Sequence, residues 1–217
     1  MPGTCYPAEP SAAAGVLFVF AHGAGAGQSS PFMRRYATLL AAQGIDVVTF
    51  DFPYLAAGRK LPDRPPVLEG AFLAAMNAAA QACPAALALV VGGKSLGGRM
   101  ATHLAATPEC WAGRPPLAGA VAFGYPLRPP GPRGGDRVSH LQRLGVPTLI
   151  VQGTRDSFGG PVDVRAAVGD VPALEILPVA TGDHSLTVLK SAGASQAEVD
   201  HAVTAQVATW MHRRAAV

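Results

Sequence analysis

Residues 87–106 read LALVVGGKSLGGRMATHLAA: an apolar run, a glycine-flanked serine and an alanine-rich segment in immediate succession. Leu87–Val91 is short, apolar throughout and followed by two glycines, which predicts a strand buried on both faces. Leu96–Ala106 follows as a predicted helix. Between them stands Gly93-Lys94-Ser95-Leu96-Gly97. A serine on a sharp strand-to-helix turn stands clear of the backbone with its hydroxyl exposed, and flanking glycines permit that turn because they have no Cβ to clash. The helix starting after Ser95 adds unpaired N–H groups and the positive end of a dipole, both of which favour an oxyanion. In a chain with 25 glycines the Gly-x-Ser-x-Gly pattern is weak by itself. Its place between strand and helix gives it meaning.

The same alternation runs outward in both directions. Further strands are predicted at Val16–Phe20, Asp46–Phe50, Ala118–Phe123 and Thr148–Gln152, with a weaker one at Leu174–Leu177. Helices are predicted at Phe32–Ala42, Pro66–Gln81 and Ser195–His212, with a short one at Val138–Leu144. Ser195 is the expected N-cap of the last. Strands alternating with helices imply right-handed crossovers, hence an α/β fold with a doubly wound, mostly parallel sheet of about six strands. At 217 residues, 49% hydrophobic and 14% charged, the chain fits a single domain over residues 1–217 with a substantial core. Two long irregular stretches remain, Pro53–Pro65 and Tyr125–Asp136, and long loops inside a compact domain are often functional.

A hydroxyl is a poor nucleophile without a base. Of the six histidines, His103, His201 and His212 fall on predicted helices, where structural roles are commoner. His184 lies in Thr181-Gly182-Asp183-His184-Ser185, a loop after the last strand at the carboxyl edge of the sheet. An acid on the other ring nitrogen fixes the tautomer and stabilises the imidazolium. Asp156 follows the strand Thr148–Gln152 directly. Asp183 competes, but a neighbour in sequence usually points elsewhere. The order Ser95, Asp156, His184 is the one used by serine hydrolases built on such a sheet. The oxyanion donors expected are the backbone N–H of Leu96 and, from the His22-Gly23-Ala24-Gly25 turn, that of Ala24. His22 itself reads as a buried structural residue.

Other chemistries fit less well. Gly93-Lys94-Ser95 ends like a phosphate-binding loop, but the required first glycine would be Ala88, inside the strand. Gly23 and Gly25 begin a dinucleotide fingerprint whose third glycine is replaced by Gln28. The net charge of +3 forms no dense stripe: Arg128, Arg133, Arg137 and Arg143 are spread through a Pro/Gly-rich stretch, so no nucleic-acid partner is expected. Cys5, Cys83 and Cys110 are odd in number and far apart, which predicts neither a disulfide framework nor a metal site. Val16–Ala21 is too short to span a bilayer and no basic residue precedes Arg34, so no membrane or secretory segment and a cytoplasmic location are expected.

Six stretches, AHGAGAG at 21–27, FDFPY at 50–54, GGKSLGGR at 92–99, FGYPLRPPG at 123–131, QGTRDSFG at 152–159 and GDHS at 182–185, resemble the α/β-hydrolase superfamily. They resemble in particular a branch of small, lid-poor members often labelled dienelactone-hydrolase-like, to which a domain in a subunit of an animal histone-acetyltransferase complex is related. The resemblance implies a minimal α/β-hydrolase fold and a Ser95, Asp156, His184 triad. It departs at two points. Dienelactone hydrolases use a cysteine where this chain has Ser95, and the antiparallel strands that usually open the fold have only about fifteen residues to form in.

The expectation is a serine hydrolase of the carboxylesterase type. It would cleave an ester or related acyl bond of a small soluble substrate through an acyl-enzyme, with no cofactor and no metal. The alternatives are a non-catalytic interaction domain on the same fold, or an acyltransferase using the same residues. Tyr54, Tyr125 and Arg155 are expected near the pocket. Lys94 and Arg99 flank the serine, and Lys94 is a candidate for selecting an acidic substrate.

Overall fold

Proline begins four of the helices. Pro31, Pro53, Pro65 and Pro161 each sit in the first turn, where the missing N–H costs nothing and the fixed φ is already helical. A computed structural model describes residues 3–9, 15–128 and 136–215. In chain order the elements are β1 (Thr4–Tyr6), β2 (Val16–Ala21), α1 (Pro31–Ala41), β3 (Ile45–Phe50), α2 (Pro53–Ala56), α3 (Pro65–Ala82), β4 (Ala88–Lys94) and α4 (Leu96–Ala106). Then come β5 (Leu117–Phe123), β6 (Thr148–Gly153), α5 (Pro161–Val168), β7 (Leu174–Val179) and α6 (Gln196–Ala215).

The sheet has seven strands in the order β1-β3-β2-β4-β5-β6-β7. All neighbours are parallel except β1, which lies antiparallel on β3. Every residue of β2 and β4 is buried, as a parallel sheet covered on both faces requires. Side chains alternate between the faces. Val16, Phe18 and Phe20 pack with Tyr36 of α1 and Trp210 of α6, while Leu17, Val19 and Ala21 pack with Phe72 of α3 and Met100 of α4. The chain leaves β2 toward β3 and then returns to place β4 on the other side. This reversal opens a crevice at the carboxyl ends of β2 and β4, the usual ligand site of such sheets.

Sequence expectation and structure differ at a few elements. The opening is short, as the few residues before β2 imply: among the described residues one three-residue strand, Thr4–Tyr6, covers the edge of β3. The stretch Pro53–Pro65 contains a single helical turn, α2. The expected helix at Val138–Leu144 is a 3₁₀ turn, Ser139–Arg143. Helix α5 falls where none was expected. The predicted N-cap holds: Glu198 N–H donates to Ser195 Oγ at 3.3 Å, while Ser195 N–H donates to Glu198 at 2.7 Å, a reciprocal capping box. Pro129–Gly135, part of the loop expected at Tyr125–Asp136 and including Arg133, lies outside the described residues. Among the described residues no helix is long and apolar enough to cross a membrane.

The β4–α4 junction is the tightest place in the sheet. A Cβ on Gly97 would stand 2.4 Å from the Ala21 carbonyl oxygen, and one on Gly93 would stand 2.4 Å from the Gly97 carbonyl carbon. Backbone meets backbone there, so no side chain can swing aside. Gly97→Ala is therefore expected to lower the unfolding free energy by about 1–3 kcal/mol. Gly70, mid-helix in α3 with open space around it, gives the contrast: Gly70→Ala should stabilise by about 0.5–1 kcal/mol. Urea unfolding of the two variants measures both.

Candidate active site

The residue forced into an unusual conformation at the junction is the serine itself. Ser95 has φ 50° and ψ −107°, a region costing about 1–3 kcal/mol for a residue with a side chain. The strain is held by Ser95 N–H donating to Phe123 O at 2.9 Å and Arg99 N–H donating to Ser95 O at 2.9 Å. Ser95 occupies the N-cap of α4, yet its hydroxyl caps nothing. It points at His184 instead, with Oγ and Nε2 2.9 Å apart. The first N–H groups of α4, that of Leu96 among them, thus have no helical acceptor.

His184 Nδ1 lies 2.8 Å from Asp156 Oδ2. Asp156 is buried, with its other oxygen, Oδ1, accepting from Phe158 N–H at 2.8 Å. Gln152, four residues earlier at the end of β6, also donates to Asp156 Oδ2, at 2.9 Å. The same fully buried amide donates to Gly159 O and Tyr125 O and accepts from Tyr125 N–H. Asp183, the competing acid, is occupied in its own loop, where its Oδ1 accepts from Ser185 and Thr187 N–H at 2.7 and 2.9 Å. The two loops carrying Asp156 and His184 touch backbone to backbone: a Cβ on Gly153 would stand 2.3 Å from Gly182 O.

Lys94 locks the histidine loop from the other side. It is nearly buried, its Nζ donates to His184 O at 2.5 Å, and it lies 5.6 Å from the Phe32 ring centroid. Burial pushes its amine down to about 8 against the pull of the Asp156 and Asp183 carboxylates. In this role Lys94 is committed to the loop, not free for selecting a substrate. His22 is the buried structural residue expected: its Nδ1 lies 2.8 Å from Gly23 O and its Nε2 accepts from Phe52 N–H at 3.0 Å. Burial lowers its basicity.

Two clefts meet at Ser95. One, of about 410 Å³, lies between Ser95, His184, Lys94 and Phe32. The other, of about 440 Å³, runs past Leu96 toward Leu68, Met100, Arg99 and Arg137. Ala24 and Phe158 border both. Phe158 packs against the His184 ring, tilted by 41° with 4.1 Å between centroids. Nothing along the chain marks Phe158 or Gln152 beyond their nearness to Asp156. The three residues expected around the pocket sit elsewhere. Tyr54 is fully buried against Phe52 and His22. Tyr125 is buried beneath the second cleft, donating its hydroxyl to Arg137 O at 2.6 Å. Arg155 is exposed and donates to Thr181 O at 3.3 Å. The first two are apolar enough to complete the core, and the guanidinium is drawn to a free loop carbonyl. Among the described residues no group of three or more His, Cys, Asp or Glu is placed to hold a metal ion.

A family profile described as an alpha/beta hydrolase domain matches residues 14–212. No curated protein matches the chain. Among solved structures, the ferulic acid-bound Est1E of Butyrivibrio proteoclasticus is similar with a TM-score of 0.73 at 12% identity, covering 100% of this chain and 96% of that one. A serine hydrolase without lid from Xanthomonas campestris gives 0.68 at 19% identity, over 96% and 88%. Dienelactone hydrolase from Anabaena variabilis gives 0.67 at 19% identity, over 97% and 90%. These likenesses establish the shared fold.

Behind the second cleft lies a buried polar group of side chains. His140 Nε2 is 2.9 Å from Thr102 Oγ1, its ring is 4.2 Å from that of His103, and His103 Nδ1 is 2.8 Å from Glu69. Burial, helped by the His103, Arg99 and Arg143 charges and opposed by Asp136, pushes His140 down to about 3 from an ordinary 6.5. Between those two values the unfolded chain binds a proton that the folded chain refuses, so acid favours unfolding there. The unfolding free energy is expected to fall as pH drops from about 6.5 toward 3, with a shallower fall in His140→Gln. Urea titrations at a series of pH values measure both slopes.

Proposed function

The chain belongs to the alpha/beta hydrolase domain family, and from that membership we propose that it is a serine hydrolase cleaving an ester or related acyl bond of a small molecule. The carrying observation is the unbroken chain from Asp156 Oδ2 through both nitrogens of His184 to Ser95 Oγ, with 2.8 and 2.9 Å links, opening where two clefts meet. Ser95 attacks the acyl carbonyl while His184 Nε2 takes its proton. Asp156 holds the tautomer and stabilises the resulting imidazolium. The negative charge that develops on the carbonyl oxygen is met by the N–H groups of Leu96 and Ala24, roughly 3 kcal/mol for each preorganised donor.

Collapse of the intermediate breaks the ester C–O bond. His184 returns the proton to the leaving oxygen, which must therefore depart on the His184 side, into the cleft shared with Lys94 and Phe32. The acyl group, now bound to Ser95 Oγ, extends into the cleft past Leu96. Water then enters on the vacated side and its oxygen attacks the acyl carbon as His184 takes its proton; the bond from the acyl carbon to Ser95 Oγ breaks, His184 returns the proton to Oγ, and the acid leaves.

A fluorophosphonate probe should label the protein at Ser95, and the labelling should vanish in Ser95→Ala. Hydrolysis of 4-nitrophenyl esters of graded acyl length should fall by at least about 10³-fold in kcat for Ser95→Ala and His184→Ala. Absence of both labelling and hydrolysis in the unaltered protein overturns the proposal.

A further inference from the structure

Two arginines line the acyl-side cleft, and among the described residues no acidic side chain pairs with either. Arg99 sits one helical turn after Ser95 on α4, and Arg137 enters from the loop after β5; both line the cleft that begins at Ser95 and Leu96. Helix side chains lean toward the helix N-terminus, so Arg99 leans back toward the serine's end of α4. Among the described residues neither guanidinium has an ion-pair partner, and the Nε of each is buried with no hydrogen-bond acceptor.

The nearby acids are committed elsewhere. Asp63 also borders the cleft, but both its oxygens accept from Arg59, at 2.6 and 3.1 Å. Glu69 is 2.8 Å from His103. Asp136 accepts from the N–H groups of Val138 and Ser139 at 2.9 and 3.0 Å. Residues 129–135, PPGPRGG, contain no acid. Arg137 loses basicity first through burial and then through the charge of Arg99. Both imidazoles behind the cleft are likewise held toward the neutral form by burial, with Arg99 adding to the effect. An excess of positive charge, partly withdrawn from water, is costly unless an anion joins it.

The arginines are also held in place. The Tyr125 hydroxyl donates to Arg137 O, and Asp136 caps the turn that follows. The backbone of Arg99 is fixed by its bond to Ser95 O. These bonds fix the two backbones, and a guanidinium fork carried on a fixed backbone matches a carboxylate well. The walls between the arginines and the serine are apolar: Leu68, Met100 and Pro126.

We propose that this cleft binds a carboxylate at the far end of the acyl chain, so that the preferred substrates are half-esters of short dicarboxylic acids. This rests on the serine-hydrolase reading above. Four residues separate Ser95 from Arg99, about 6 Å along the axis, which suits acyl chains of roughly four to six carbons. The reaction balances as half-ester plus water giving dicarboxylate plus alcohol. The ester C–O bond breaks, the water oxygen joins the acyl carbon, and a proton passes through His184 to the leaving oxygen.

The test compares two five-carbon acyl esters, the 4-nitrophenyl monoester of glutaric acid and 4-nitrophenyl pentanoate. The protein should favour the glutarate ester by at least tenfold in kcat/KM, chiefly through KM, and Arg99→Gln with Arg137→Gln should bring the ratio close to one. General damage to the fold would lower both rates and leave the ratio unchanged, which counts against the proposal. A ratio at or below one in the unaltered protein overturns it, while pentanoate hydrolysis still upholds the serine-hydrolase reading. Free glutarate supplies a readout independent of turnover: it should raise Tm in the unaltered protein and not in the double variant. If neither ester is cleaved and Ser95 is not labelled, the enzyme reading fails, and a glutarate-dependent Tm shift alone decides whether the arginines form an anion site. No such shift rejects it.

Discussion

The close approach of β2, β4 and the first turn of α4 is the constraint from which the site follows. Ala21 O, Gly93 and Gly97 meet with no room for a methyl group, so the chain must turn within one residue. Ser95 is that residue, with φ 50°. Because the turn is so sharp, its hydroxyl leaves the usual capping position and the helix N–H groups remain open toward the crevice. One steric fact thereby presents the Ser95 hydroxyl and leaves N–H donors open beside it. The strain is held by a sheet whose central strands are wholly buried.

The histidine and its acid arrive by a different route. Neither is positioned by its own strand alone. Gly153 and Gly182 bring the two loops into backbone contact, Gly124 at φ 64° leaves space for His184 O, and Lys94 ties that same carbonyl to the strand bearing Ser95. Gln152 completes the arrangement by joining Asp156 to Tyr125 and Gly159. A buried side-chain amide with all its groups engaged is a rigid fixture, since breaking any one link leaves a polar atom in an apolar interior. Tyr125 in turn holds Arg137, so Asp156 and the cleft past Leu96 share one scaffold.

Much of the fold was legible from hydrophobic runs. Six strands and the four long helices fall where continuous apolar segments and four-residue spacing put them, because burial on both faces leaves an unambiguous mark. The misses have local causes. Thr4–Tyr6 is three residues long and gains its strand character only from the edge of β3. Helix α5 follows Gly159-Gly160-Pro161, which reads as loop until the capping bond from Gly160 N–H to Asp163 is seen. The strand expected to stop at Val91 runs on through Gly92, Gly93 and Lys94, since glycines weaken a strand by propensity yet are demanded there by packing.

The amino-acid sequence by itself determined the doubly wound, mostly parallel sheet, the strand-turn-helix that displays Ser95, and the choice and succession of Asp156 and His184. Those depend on local conformation and on which segments must leave water, and both are written in short stretches of chain. Tertiary structure alone decided that Lys94 braces a loop, that Tyr54 and Tyr125 belong to the core, and that Arg99 and Arg137 share a cleft in which, among the described residues, neither has an ion-pair partner. Each of these is a meeting of residues far apart along the chain, and only the packed sheet fixes which of them come within reach.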